Sequence, residues 1–298
     1  MKDGNFKAVL CAALGNIFWG FSFLFINVAL TVVSDPYIML GHRFSISALV
    51  MAGMLLVGKK KISFKGKNWK PVALLLITQL CYYLFESYGI LYTNSTISGL
   101  VLAVVPVVTI ATGVLFLKEY PTKRQALFCI LPVAGVIMIS ATGASLGASK
   151  PLLGGIFLLL TMLVSAIFKT ANRKAATEFS AFERTFFVLV SSSVVFTVIG
   201  LRASNWNIGT YLAPLLVPQY TLSVLSLSLL CSIAANMLVN YATGQMSVFK
   251  VSSFGSLSTL CAAFAGIVIL KEPVTVSLVV GGILILVGVR QVTKPKKA

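Results

Sequence analysis

Long apolar runs, broken at charges, prolines and glycine clusters, recur along the whole chain. A helix that crosses a bilayer needs about 20 mostly apolar residues, and runs of that kind occur ten times. They cover residues 8–33, 36–57, 71–92, 96–117, 125–142, 152–170, 182–201, 219–241, 247–270 and 274–292. The pattern predicts an all-α polytopic membrane protein of ten transmembrane helices. The loops are short and leave no room for a soluble domain. The first run is too long for a signal-peptide core and has no small-residue exit, so it is expected to remain as a span.

Composition narrows this further. Apolar residues make up 58% of the chain and charged ones 10%, with a mean hydropathy of +0.96. Soluble domains run at about 45–50% apolar and about 25% charged, so disordered, collagen-like, disulfide-framework and nucleic-acid-binding classes are excluded. Five cysteines stand singly in apolar runs, a pattern of buried packing rather than of a metal or redox site. The net charge of +17 follows from topology. With the N-terminus placed in the cytoplasm, 19 of the 24 Lys and Arg fall in cytoplasmic segments, Lys169 among them. Lys150, Arg202 and Lys271 fall outside, and Arg43 and Lys250 within spans. Such a bias fixes both termini in the cytoplasm.

The chain also repeats itself. Residues 113–136 laid without gaps on 266–289 match at nine positions, including Leu117-Lys118-Glu119 on Leu270-Lys271-Glu272; about two matches are expected by chance. Two five-span halves result, 8–142 and 152–292. Five is odd, so the halves enter the membrane in opposite senses, and inverted repeats are the mark of alternating-access transporters.

These residues resemble a known family. Gly113 to Glu119 with Gly135-Val136, their counterparts Gly266 to Glu272 with Gly288-Val289, Phe18-Trp19-Gly20, Arg43 and Pro106 look like the drug/metabolite transporter superfamily, in its branch with two EamA domains. The resemblance covers about residues 8–292. It implies a permease for a small metabolite, from a family whose members carry amino acids, aromatic metabolites, sugars, choline-like cations and nucleotide conjugates, with export as the direction. Thr259 stands where the second half would carry the equivalent of Pro106, and no Trp-Gly pair opens the sixth span.

Ionisable side chains inside a membrane are costly unless paired or facing water, so each is a candidate. Arg43 and Glu86 each lie about 10 Å below the outer interface by helix rise, on consecutive antiparallel spans. An ion pair between them is expected, either structural or exchanging partners with a charged substrate or a proton. Glu86 is the only carboxylate within a span, which leaves the mechanism open to proton coupling. His42 is a candidate relay. Lys250, one turn inside the ninth span, either snorkels to the interface or meets an anionic substrate. Asn16, Trp19, Phe23 and Asn27 share a helical face. Tyr83, Asn236 and Asn240 are further polar candidates, and Trp19, Tyr82, Tyr83 and Tyr88 can form an aromatic cage for an organic cation. Pro106, Gly255 and Gly266 are candidate bending points. Lys271 and Glu272 are expected to cap a helix turn.

The leading expectation is a secondary or facilitative transporter in the cytoplasmic membrane, as a monomer or homodimer, whose partners are a small-molecule substrate and the bilayer. An importer of a choline-like cation is the alternative. An enzyme is disfavoured, because no nucleophile–base or metal-ligand constellation is present, and a non-transporting scaffold is more remote. No cofactor, metal or nucleic acid is implied.

Overall fold

A computed structural model describes residues 3–58, 62, 66–102, 104, 105, 108, 128, 131, 134, 135, 138, 149–246, 251 and 254–293. Among these residues there is no strand. Helices α1 (Asp3–Val32), α2 (Pro36–Leu56), α3 (Lys70–Tyr92) and α4 (Ser95–Leu102) come first. Then follow α5 (Pro151–Ala175), α6 (Ala181–Ala203), the short α7 (Ile208–Leu212) and α8 (Pro218–Gln245). Helix α9 joins Gly255–Phe264 to a π-helical turn at Ala265–Ile269, and α10 spans Val276–Thr293.

Six of the described helices are long and apolar enough to cross a bilayer: α1, α2, α3, α5, α6 and α8. Shorter apolar helices lie in α9 and α10. Most of the fourth and fifth expected spans, with Pro106 and the 113–136 half of the repeat, lie outside the described residues, as do Lys250 and the start of the ninth. The chain is an integral multi-pass membrane protein.

Local sequence explains where the helices begin and end. Asp35 caps α2, its carboxylate accepting the Tyr37 N–H at 2.8 Å, and Pro36 follows at the first turn, where a missing N–H costs nothing. Ser180 and Glu183 form a reciprocal capping box on α6, which satisfies two otherwise orphaned donors. Helix α9 ends with Lys271 in the left-handed region (φ 55°) while the Glu272 N–H reaches back to Gly266 O at 3.0 Å. The main chain at Lys271 and Glu272 makes this cap, at the turn where the sequence reading expects one.

Packing is by close approach. Helix α2 lies along α6, α3 along α5, and α1 along both α8 and α9. Gly20 of α1 faces the backbone of Ser258 so closely that a Cβ there would fall 2.6 Å from its carbonyl oxygen; small residues permit such contacts between membrane helices. At one end of the bundle, Asp35, Tyr92 and Lys150 gather, with Lys150 N–H donating to Tyr92 O at 3.1 Å. At the opposite end Lys67 pairs with Glu183 at 2.7 Å and the Asn68 N–H donates to Glu178 at 2.5 Å.

Candidate functional site

Helices α1, α3 and α5, with Arg43 of α2, Leu102 at the end of α4, Val105 and the start of α9, line a cavity that spans about 780 Å³ with its open mouth included. Its polar wall carries Asn16, Ser22, Arg43, Gln79, Glu86, Ser165, Lys169 and Ser258, and its aromatic wall Trp19, Phe23, Tyr82, Tyr83 and Phe168. A concave, largely apolar site with a few convergent polar groups is the usual form of a small-molecule site.

Arg43 is firmly anchored, yet one of its donors is unmet. Its carbonyl accepts the hydroxyls of Ser47 and Ser228, each at 2.8 Å, and its Nε donates to Ser232 at 2.8 Å. Ser228 and Ser232 sit in a π-helical stretch of α8, Leu227–Ala234. Such widened turns redirect side chains and concentrate at functional sites. The guanidinium lies 5.1 Å from the ring centres of both Phe44 and Tyr83, in cation–π range. Arg43 is 2% exposed, yet its Nη1 has no hydrogen-bond partner. A buried charged donor left unmet costs more than an ordinary unmade hydrogen bond. The Gln79 amide oxygen on the same cavity wall is also buried and unmet.

Glu86 is likewise buried at 3% exposure and accepts the Tyr82 hydroxyl at 2.6 Å, one helical turn away. The expected Arg43–Glu86 ion pair is not formed. The two charges face one cavity, and among the described residues the only ion pair is Lys67–Glu183. Each is engaged elsewhere: Arg43 by Ser232 and two rings, Glu86 by Tyr82.

Of the remaining sequence candidates, Asn16, Trp19, Tyr83 and Gly255 line the cavity. Asn236 stands behind it, donating to Ser232 O at 2.7 Å and to the Tyr83 hydroxyl at 3.5 Å. Asn240 lies in a separate network, donating to Thr185 at 2.9 Å and accepting from Asn172 at 2.8 Å. His42 is no cavity residue. It is buried among aromatic rings near the Asp35 end, with Nδ1 2.8 Å from the Tyr220 hydroxyl and its ring 4.4 Å from that of Tyr211. Successive helical residues diverge by about 100°, so with Arg43 facing the cavity its neighbour cannot. Tyr88 packs on Phe157 and Tyr37 rather than joining the aromatic wall. Gly266 lies in the π turn of α9. Pro106 and Lys250 lie outside the described residues.

Sequence reasoning missed Lys169. It stands one residue inside the end of the sixth run, 152–170, beside Arg173 and Lys174, and counts with the cytoplasmic charges on that ground. Helix α5 continues to Ala175, and Lys169 lines the cavity. The signal was present: Ser165, Phe168, Lys169 and Asn172 follow the i, i+3, i+4, i+7 pattern of one helical face.

The arrangement offers two cations and one carboxylate to a solute. The profile of the EamA-like transporter family matches residues 6–141 and 152–293. The protein called uncharacterized transporter YcxC, from Bacillus subtilis (strain 168), is 32% identical over 97% of this chain and 93% of its own length. An uncharacterized transporter of Archaeoglobus fulgidus is 22% identical, covering 96% of both chains. One solved crystal structure, 14% identical, superposes with a TM-score of 0.67 over 95% of each chain, which is a likeness of fold. With both halves of the sequence matched by one family profile, the chain belongs to the EamA-like transporter family.

Proposed function

We propose that this protein is a secondary or facilitative transporter that carries an amino acid or related small metabolite across the cytoplasmic membrane by alternating access. Both termini are cytoplasmic, the second half is an inverted copy of the first, and the direction is outward. The observation that carries the reading is the unmet Nη1 of buried Arg43, which shares a cavity with the carboxylate of Glu86. A zwitterion supplies what each lacks: a carboxylate for the guanidinium and an ammonium for Glu86. The packing also supports paired halves. Exchanging them turns the α1–α8 contact into α5–α3, and both contacts exist.

The aromatic wall favours a second reading. Trp19, Tyr82 and Tyr83 beside Glu86 suit a choline-like cation, with import as the direction. Arg43 opposes that reading by like-charge repulsion. The deciding experiment is a thermal-shift screen of the purified protein against amino acids, sugars, polyamines, nucleotides and choline. A ligand that binds only the folded state raises the midpoint. A response to amino acids that Arg43→Gln removes is expected. A response to choline alone, kept in Arg43→Gln, would overturn the leading reading.

A further inference from the structure

Lys169 belongs to two pockets. Besides the central cavity it lines a smaller one of about 360 Å³, and Asn16, Trp19 and Phe168 are also shared. These four side chains form the partition between the two spaces. Asn172, Val239, Thr243 and Val251 complete the smaller pocket. By helix rise the Lys169 Cα lies about 16 Å further from the Asp35 end than that of Arg43, so the smaller pocket sits toward the Lys67 end.

The chemistry of that pocket is one-sided. No acidic residue is among the described residues that line it. Its threonine and asparagine side chains are already engaged: the Thr243 hydroxyl donates to Val239 O, and the Asn172 amide accepts from Arg184 and donates to Asn240. Asn16 donates to Ala12 O. Arg173, behind Thr243 and donating to its carbonyl at 2.6 Å, adds to the positive potential. Among the described residues Lys169 has no hydrogen bond or ion pair. Glu86 is the acid of the central cavity, but on the smaller-pocket side the positive potential of Lys169 and Arg173 meets no described carboxylate and concentrates anions there.

We infer that Lys169 is a second carboxylate-binding station, on the cytoplasmic side of Trp19 and Phe168, which holds the acid group of the substrate before or after it engages Arg43. This rests on the transport reading for its purpose, but its test does not require transport.

The chain has three tryptophans, Trp19, Trp69 and Trp206. In a Trp69→Phe/Trp206→Phe background, Trp19 is the sole indole and reports on the partition. Iodide quenching in that protein should fall about threefold in slope when Lys169→Met is added, because the local anion concentration drops. Quenching by neutral acrylamide should hold, which controls for misfolding, and Lys169→Arg should restore the iodide effect. Acetate at constant ionic strength should protect Trp19 from iodide in the presence of Lys169 only. Iodide slopes that ignore Lys169, or acetate that gives no protection, would overturn the inference and leave the proposed transport untouched. An intact iodide and acetate effect in a protein that responds to no solute of the thermal-shift screen would overturn the transport reading alone.

Discussion

Arg43 and Arg184 are both 2% exposed, and neither has an acidic partner among the described ion pairs. Arg184 spends its donors on the protein itself: Nε on Phe179 O, Nη1 on the Asn172 carbonyl and side-chain oxygens, and Nη2 on Asn240 O. These acceptors lie at the end of α5, the turn before α6 and the last turns of α8, so one guanidinium ties three chain segments together. Arg43, which lines the cavity, is held as firmly through its carbonyl and Nε, but its buried Nη1 is unmet. Burial of a cation therefore does not mark a binding residue. The number of donors the fold leaves over does.

That contrast can be broken in order of effect. Arg184→Met leaves four oxygens without their donor, and should lower unfolding stability by about 3–5 kcal/mol, read from thermal or denaturant melts in detergent. Arg43→Gln removes no filled Nη1 contact and should cost about 1–2 kcal/mol in the same melts. Its larger effect should be at least about a tenfold loss of affinity for a responding amino acid, equal to about 1.4 kcal/mol of binding. If Arg184→Met proved harmless to folding while Arg43→Gln unfolded the protein, the comparison would be reversed. Glu86→Gln can still accept the Tyr82 hydroxyl, so its stability should stay within about 1 kcal/mol of the parent. Transport in reconstituted vesicles should then lose its dependence on a pH gradient; coupling that persists would remove Glu86 from proton movement. Ser232→Ala frees the Arg43 Nε and should weaken binding only about threefold, through looser aim of the guanidinium. An effect as large as that of Arg43→Gln would make the π-helical serine a ligand contact in its own right.

How far the sequence foretold this site depended on which signal each residue sends. Hydrophobic run length placed α1, α2, α3, α6 and α8 within a few residues, because span length is dictated by the bilayer. Rarity of charge in such runs pointed to Arg43 and Glu86, and helical spacing to Asn16 and Trp19. The missing Arg43–Glu86 contact was not legible, since it depends on Ser232 being delivered by a widened turn of a helix nearly two hundred positions away, and a π turn leaves no mark on apolar periodicity. Lys169 was hidden by its neighbours: Arg173 and Lys174 made the end of α5 look like a cytoplasmic loop. Asn240 and His42 were over-read for the opposite reason. A polar residue inside a membrane is conspicuous whether it faces a solute or a carbonyl, and only the three-dimensional partners separate the two.

The contact of Gly20 with Ser258 has a practical consequence for anyone wishing to reshape the cavity. Ser258 is a lining residue, and behind it the main chain of α1 at Gly20 meets the Ser258 backbone and the Cys261 Cβ directly. This wall has no thickness to shave. Trimming side chains can widen the chamber at Phe23 or Phe168, whereas at Ser258 the dimension is set by two backbones in contact, and it changes only when a whole helix shifts.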